Sequence, residues 1–182
     1  MNKFVTEIYG VAREASADKA GEIDTFKSFL TEQRLAAANP ARGRALFNTV
    51  CAQCHTLYGV GGSVGPDLTG SQRANLDYFL QNVVDPSALI ANEFQVTLIR
   101  TKDKRVVSGI ASENDHAWKV VTEAGTVLVS KDEVGQVRKS ELSMMPEGLL
   151  NGLTEAEVAD LVAYLRTTNQ VPLAEDGPRK PE

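Results

Sequence analysis

Cysteine is nearly missing from this 182-residue chain: there are two, Cys51 and Cys54, both inside the stretch "VCAQCHTLYGVGGSVGPDLTG". Histidine is as scarce, and one of the two, His55, directly follows Cys54. Long apolar runs are lacking as well. Nothing approaches the ~18 apolar residues of a membrane span, and the opening "MNKFVTEIYGVAREASADKAG" has no continuous secretory h-region. Lysine and arginine never run together long enough to form a phosphate-binding stripe, and the net charge is −5, so nucleic acid is excluded as a partner class. The length suits one domain with a real core plus additions, rather than two large domains.

What is present is organised by apolar spacing. Residues 1–37 read as an N-terminal helical extension of two short helices. Phe4, Val5, Ile8 and Ala12 share one face, Ile23, Phe26 and Leu30 another, and the polar "SADKAGE" links them. Asn39-Pro40 is a helix start, with Asn39 as N-cap and Pro40 where its missing N–H costs nothing. The helix that follows puts Gly43, Leu46, Phe47 and Val50 on one face, the glycine leaving room for a close partner helix. That partner is legible near the C-terminus, where Thr154 and Glu157 form a capping box ahead of Val158, Leu161, Val162 and Leu165. Between them, Leu76, Phe79, Leu80, Val83 and Val84 form a third stripe, stopped by Asp85-Pro86.

From about residue 94 to 139 the period changes to two. The runs "FQVTLIR", "RVVSGI", "AWKVV", "TVLVS" and "VGQVRK", separated by polar turns, predict an antiparallel meander curling into a small sheet or partial barrel. Its single tryptophan, Trp118, reads as a core anchor or an exposed docking residue. Residues 170–182 hold three of the seven prolines and no apolar period, and read as a disordered tail.

Cys51-x-x-Cys54-His55 has the spacing of covalent haem attachment: two thiols one helical turn apart reach the two vinyl groups on one edge of the porphyrin, and the adjacent histidine ligates iron. Structural zinc wants four ligands, and the other histidine, His116, lies about sixty residues away in a strand-like region. A thioredoxin-like pair belongs at a strand-to-helix junction, whereas Cys51 follows a helix. The second iron ligand decides between electron transfer and an open site. Candidates are methionine sulfur, His116, a lysine, or none; Met144 and Met145 stand in the polar loop "SMMPEGLL", off any apolar stripe.

Together "GRALF", "CAQCH", "GPDLTG", "MPEGL" and "AYLR" resemble class I c-type cytochromes. More narrowly, "VGPDLTG", "LDYFLQNVVDPSALI", "RVVSG" and "SMMPEGLLNGLT" look like the haem-binding cytochrome c domain of planctomycete and related bacterial proteins, which often follows a dehydrogenase-like or helical-repeat region. The resemblance implies a mainly α, class I cytochrome c fold over residues 38–169, with the β segment as an insert. It implies one haem c held through Cys51 and Cys54, with His55 as proximal ligand and the Pro66 carbonyl accepting its Nδ1–H. Met145 matches the distal ligand, with Met144 the runner-up. Leu57, Leu68, Phe79 and Leu80 would wall the haem pocket, Arg73 would face a propionate, and Tyr164 would pack near the Gly43/Phe47 crossing.

The function so implied is that of an electron carrier rather than an enzyme. It would exchange single electrons with redox protein partners, a dehydrogenase donor and a downstream acceptor. Two alternatives stay open: an open-site haem binding a gas or peroxide, and a redox-coupled module that docks through the β insert. Covalent haem is attached outside the cytoplasm, so a periplasmic or equivalent compartment is expected.

Overall fold

A computed structural model describes residues 11–12 and 17–173. Among these the chain forms two compact units, one helical (17–85 and 147–173) and one built on a sheet (11–12 and 86–146).

The helical unit has five helices: α1 (Ala17–Phe29), α2 (Glu32–Ala37), α3 (Pro40–Val50), α4 (Leu76–Val84) and α5 (Glu155–Leu165). No helix among the described residues is long and apolar enough to cross a membrane. The caps explain the boundaries. Asn39 accepts from the backbone N–H groups of Ala41 and Arg42 to open α3, Asn75 accepts from Tyr78 to open α4, and Thr154 with Glu157 completes the capping box of α5. The "SADKAGE" segment is helical from Ala17 onward instead of a link. Its alanines favour helix, and Asp18 complements the positive N-terminal end of the helix dipole.

The core of this unit joins Leu46 and Phe47 of α3, Phe79 and Leu80 of α4, Leu161 and Tyr164 of α5, Leu35 of α2 and Leu30 from the α1–α2 connection. Helices α3 and α5 cross so closely at Gly43 that a Cβ there would lie 1.9 Å from the Asp160 carbonyl oxygen and 2.8 Å from Tyr164 Cβ. Asp160 ties the same crossing electrostatically. Its buried carboxylate accepts from the Asn39 N–H at 2.6 Å and from Arg42 Nε at 2.8 Å. Since Arg42 is half exposed, most of the benefit lies in the hydrogen bonds. Asp160→Ala is expected to cost about 2 kcal/mol, read as a lower urea midpoint at unchanged m-value.

In the sheet unit, β5 (Val96–Thr101), β6 (Val106–Glu113), β7 (Ala117–Thr122) and β8 (Gly125–Ser130) run as a meander. The last strand, β9 (Val134–Lys139), returns to pair with β5, giving the order β8-β7-β6-β5-β9, antiparallel throughout. Alternation sets the faces: Thr97, Ile99 and Thr101 are buried while Leu98 and Arg100 point to solvent. Ile99, Val120 and Val129 form a small core, with Trp118 half-buried against it as an anchor. The β-branched runs of 96–139 make a full five-stranded sheet, so the expected mainly α character is not confirmed.

At the ends, Val11–Ala12 (β1) pairs with Leu89–Ile90 (β4) instead of continuing a helix. Phe4, Val5 and Ile8 of that expected helix lie outside the described residues, as does the expected disordered tail from residue 174. Of residues 170–173, which are irregular, Gln170 accepts from the Tyr164 hydroxyl at 2.8 Å and the Val171 carbonyl accepts from Arg44.

Candidate haem-attachment site

Helix α3 delivers the two cysteines. Cys51 caps the helix, its N–H donating to the Phe47 carbonyl at 2.8 Å, and the chain makes one further turn in which Cys54 and His55 both donate to the Cys51 carbonyl at 3.1 and 2.9 Å. A two-residue hairpin follows, Thr56–Leu57 (β2) with Val60–Gly61 (β3). Its central pair, Tyr58 and Gly59, have φ of 53° and 75°, the left-handed geometry of a primed turn.

The loop then folds back on the attachment turn through a ladder of backbone bonds. Gly62 donates to the Ala52 carbonyl (2.7 Å), Gly65 to Cys54 (2.8 Å) and Leu68 to Thr56 (2.8 Å). This places the Pro66 carbonyl oxygen 2.9 Å from His55 Nδ1, as the resemblance implied. A carbonyl only accepts, so Nδ1 carries the proton of this contact, and Nε2 is the nitrogen left to face a metal. Gly65 leaves the ring its room: a Cβ there would lie 2.6 Å from His55 Cε1 and 2.9 Å from Nδ1.

Cys51 lacks the character of a redox-exchange thiol. Burial, with the neighbouring Cys54 second, pushes the Cys51 thiol up to about 12. Thiol–disulfide enzymes show the opposite, a lowered value that supplies thiolate. Of the residues expected to wall the haem, Leu57 and Leu80 are fully enclosed in the helical core, Phe79 is buried there, and Leu68 packs half-buried against them.

Arg73 is placed more specifically than its sequence revealed. Its Nη1 donates to the Thr69 carbonyl at 2.8 Å, and Nη2 donates to the Tyr58 hydroxyl at 2.7 Å and to the Thr167 carbonyl at 3.0 Å. Its Nε is enclosed without a protein partner, a spare donor where the resemblance asks for a propionate contact. Tyr58, Thr69 and Thr167 went unnoticed in the sequence. A Tyr-Gly pair between "TL" and "VG" is a hairpin signal, but tyrosine rarely occupies a positive-φ position.

Met144 and Met145 are half-buried in the sheet unit, where Met145 N–H donates to Ser143 Oγ at 3.1 Å and Ser143 N–H to Ser87 Oγ at 3.1 Å. His116 is exposed at the β6–β7 turn, its backbone N–H held by Asn114.

Two cysteines on a helical turn, followed by a histidine whose Nδ1 is held by a carbonyl, are the arrangement of the CxxCH type of covalent-haem protein. The cytochrome c family model matches residues 40–169, more than two thirds of the chain, and the chain belongs to the cytochrome c family. No curated protein matches it. Membership brings covalently bound haem c, electron transfer as the general function, and redox proteins as the general kind of partner.

Proposed function

We propose that this chain is a monohaem electron carrier in which Cys51 and Cys54 hold one haem, His55 and Met145 are the axial ligands, and a dehydrogenase is the electron donor. The observation that carries it is the 2.9 Å contact between His55 Nδ1 and the Pro66 carbonyl oxygen, which fixes the ring and leaves Nε2 free to ligate. Bound haem supplies a reversible one-electron iron couple, and the protein's share of the work is ligation, orientation and exclusion of water.

Leu57, Phe79 and Leu80 keep the surroundings apolar, which disfavours the more highly charged oxidised centre and raises the potential. Methionine sulfur acts in the same direction. Met145 is assigned on its place before Pro146 in "SMMPEGLL", and Arg73 Nε is assigned to a propionate. The compartment is periplasmic or its equivalent.

Absorption and magnetic-resonance spectra of Met145→Ala and Met144→Ala test the ligand pair. Met145→Ala is expected to lose the methionine–iron signature while Met144→Ala keeps it. Loss only in Met144→Ala would transfer the role to that residue. Absence of that signature from the wild type as well would reject methionine ligation and favour the open-site reading.

A further inference from the structure

Tyr58 is a non-glycine residue in the left-handed region, a strained conformation that persists only where the surroundings hold it. Here they do so from every side. Its N–H donates to Thr69 Oγ1 at 2.9 Å, its hydroxyl donates to the Thr167 carbonyl, and the same hydroxyl accepts from Arg73 at 2.7 Å. The Arg73 guanidinium lies over the Tyr58 ring at 5.2 Å. That ring also meets Tyr164 edge-on at 6.4 Å, and Tyr164 meets Phe47 at 5.6 Å.

We propose that Tyr58 and Arg73 are positioning residues that form a latch, binding the hairpin after His55 to the C-terminal end of α5 and so setting the His55–Pro66 hydrogen bond. Two rungs, Leu68 N–H to the Thr56 carbonyl and Tyr58 N–H to Thr69 Oγ1, close the loop in which Pro66 sits. The latch anchors that closed loop to Thr167, while Phe47, whose carbonyl holds Cys51, rests on Tyr164 three residues before Thr167. The chain entering the attachment turn and the chain leaving it are therefore both referenced to one helix end. A free hairpin would leave the histidine ring's angle to solvent and thermal motion; the latch removes that freedom.

This rests on the reading of His55 as the iron ligand only for its consequence, since the geometry of the loop is measurable with or without haem. The experiment is NMR of the protein as purified, reduced where it carries haem, comparing wild type with Tyr58→Phe and Arg73→Met, with haem content measured separately. The expected result in both variants is an upfield shift of the His55 Nδ1–H and of the Gly65 and Leu68 amides, as their hydrogen bonds lengthen, with the Glu157 and Leu161 amides of α5 unmoved. Chemical shifts report native geometry, so a merely stabilising role would lower the melting point and leave them in place. Unmoved loop resonances, or shifts of equal size throughout α5, would overturn the latch. Absence of covalent haem would instead remove the proposed function and leave the loop comparison standing.

Discussion

Replacing Gly43 by valine is expected to break the helical unit at its tightest point. A Cβ at this position would stand 1.9 Å from the Asp160 carbonyl oxygen and 2.6 Å from its carbon. Both are backbone atoms, so no side chain can rotate away, and the α3–α5 crossing must open. Overpacking usually costs 1–3 kcal/mol; a clash with helix backbone belongs at or above the top of that range, about 3 kcal/mol or more. Opening the crossing also parts Phe47 from Tyr164 and pulls Asn39 and Arg42 off Asp160, so the losses are coupled. For a unit of this size the midpoint of thermal unfolding should fall by about 10–20 °C. Gly43→Ala carries the same Cβ and should suffer most of the loss. A melting point within a few degrees of wild type in either variant would mean that the helices separate at little cost.

A valine at Gly65 should do the reverse, sparing the fold and damaging the site. Its Cβ would meet the His55 ring at 2.6 Å from Cε1, 2.9 Å from Nδ1 and 3.1 Å from Nε2, so the imidazole must turn and its bond to the Pro66 carbonyl is lost. Cys51 and Cys54 are untouched, and covalent haem should be retained at wild-type yield. Losing the hydrogen bond that orients a metal-bound histidine typically costs ~10–100-fold in metal affinity. Imidazole added to ferric Gly65→Val should therefore show, beyond the step in which it displaces Met145, a second step on the His55 side that is ~10–100-fold tighter than in wild type, because the displaced side chain competes poorly. Spectrophotometric titration measures this directly. Equal imidazole affinities in the two proteins would show that Gly65 does not protect the ring's position.

These two glycines also show what a sequence exposes and what it hides. The helix interface at Gly43 was legible, because glycine on an apolar stripe beside a second, capped stripe signals close approach through local spacing alone. The caps at Asn39 and Thr154 and the five β runs were legible for the same reason: each is written in a few adjacent residues. The attachment motif is equally local, and it carried the His55–Pro66 pairing through family resemblance. Strand order was not legible. Nothing near Val134–Lys139 says that β9 prefers the free edge of β5 to that of β8, since the choice depends on how the whole sheet twists. Nor was the helicity of residues 17–22, where a polar run with Gly21 looked like a link. That helix buries only Ile23, so its amphipathic signal is faint. The latch at Tyr58 was hidden most deeply. It brings together residues 58, 69, 73 and 167, and it places a tyrosine where backbone preference argues for asparagine or glycine.

The return of β9 to β5 has one more consequence. Thr97 lies opposite Lys139, and Ser140 donates its N–H to the Val96 carbonyl at 2.7 Å, so the stretch that begins at residue 96 ends beside its own starting point. Its more than forty residues span no distance. A segment with coincident ends can be acquired, lengthened or shed with little change in the path of the flanking chain and little loop-closure entropy. The sheet is thus a self-contained excursion of the chain, closed by the pairing of its last strand with its first.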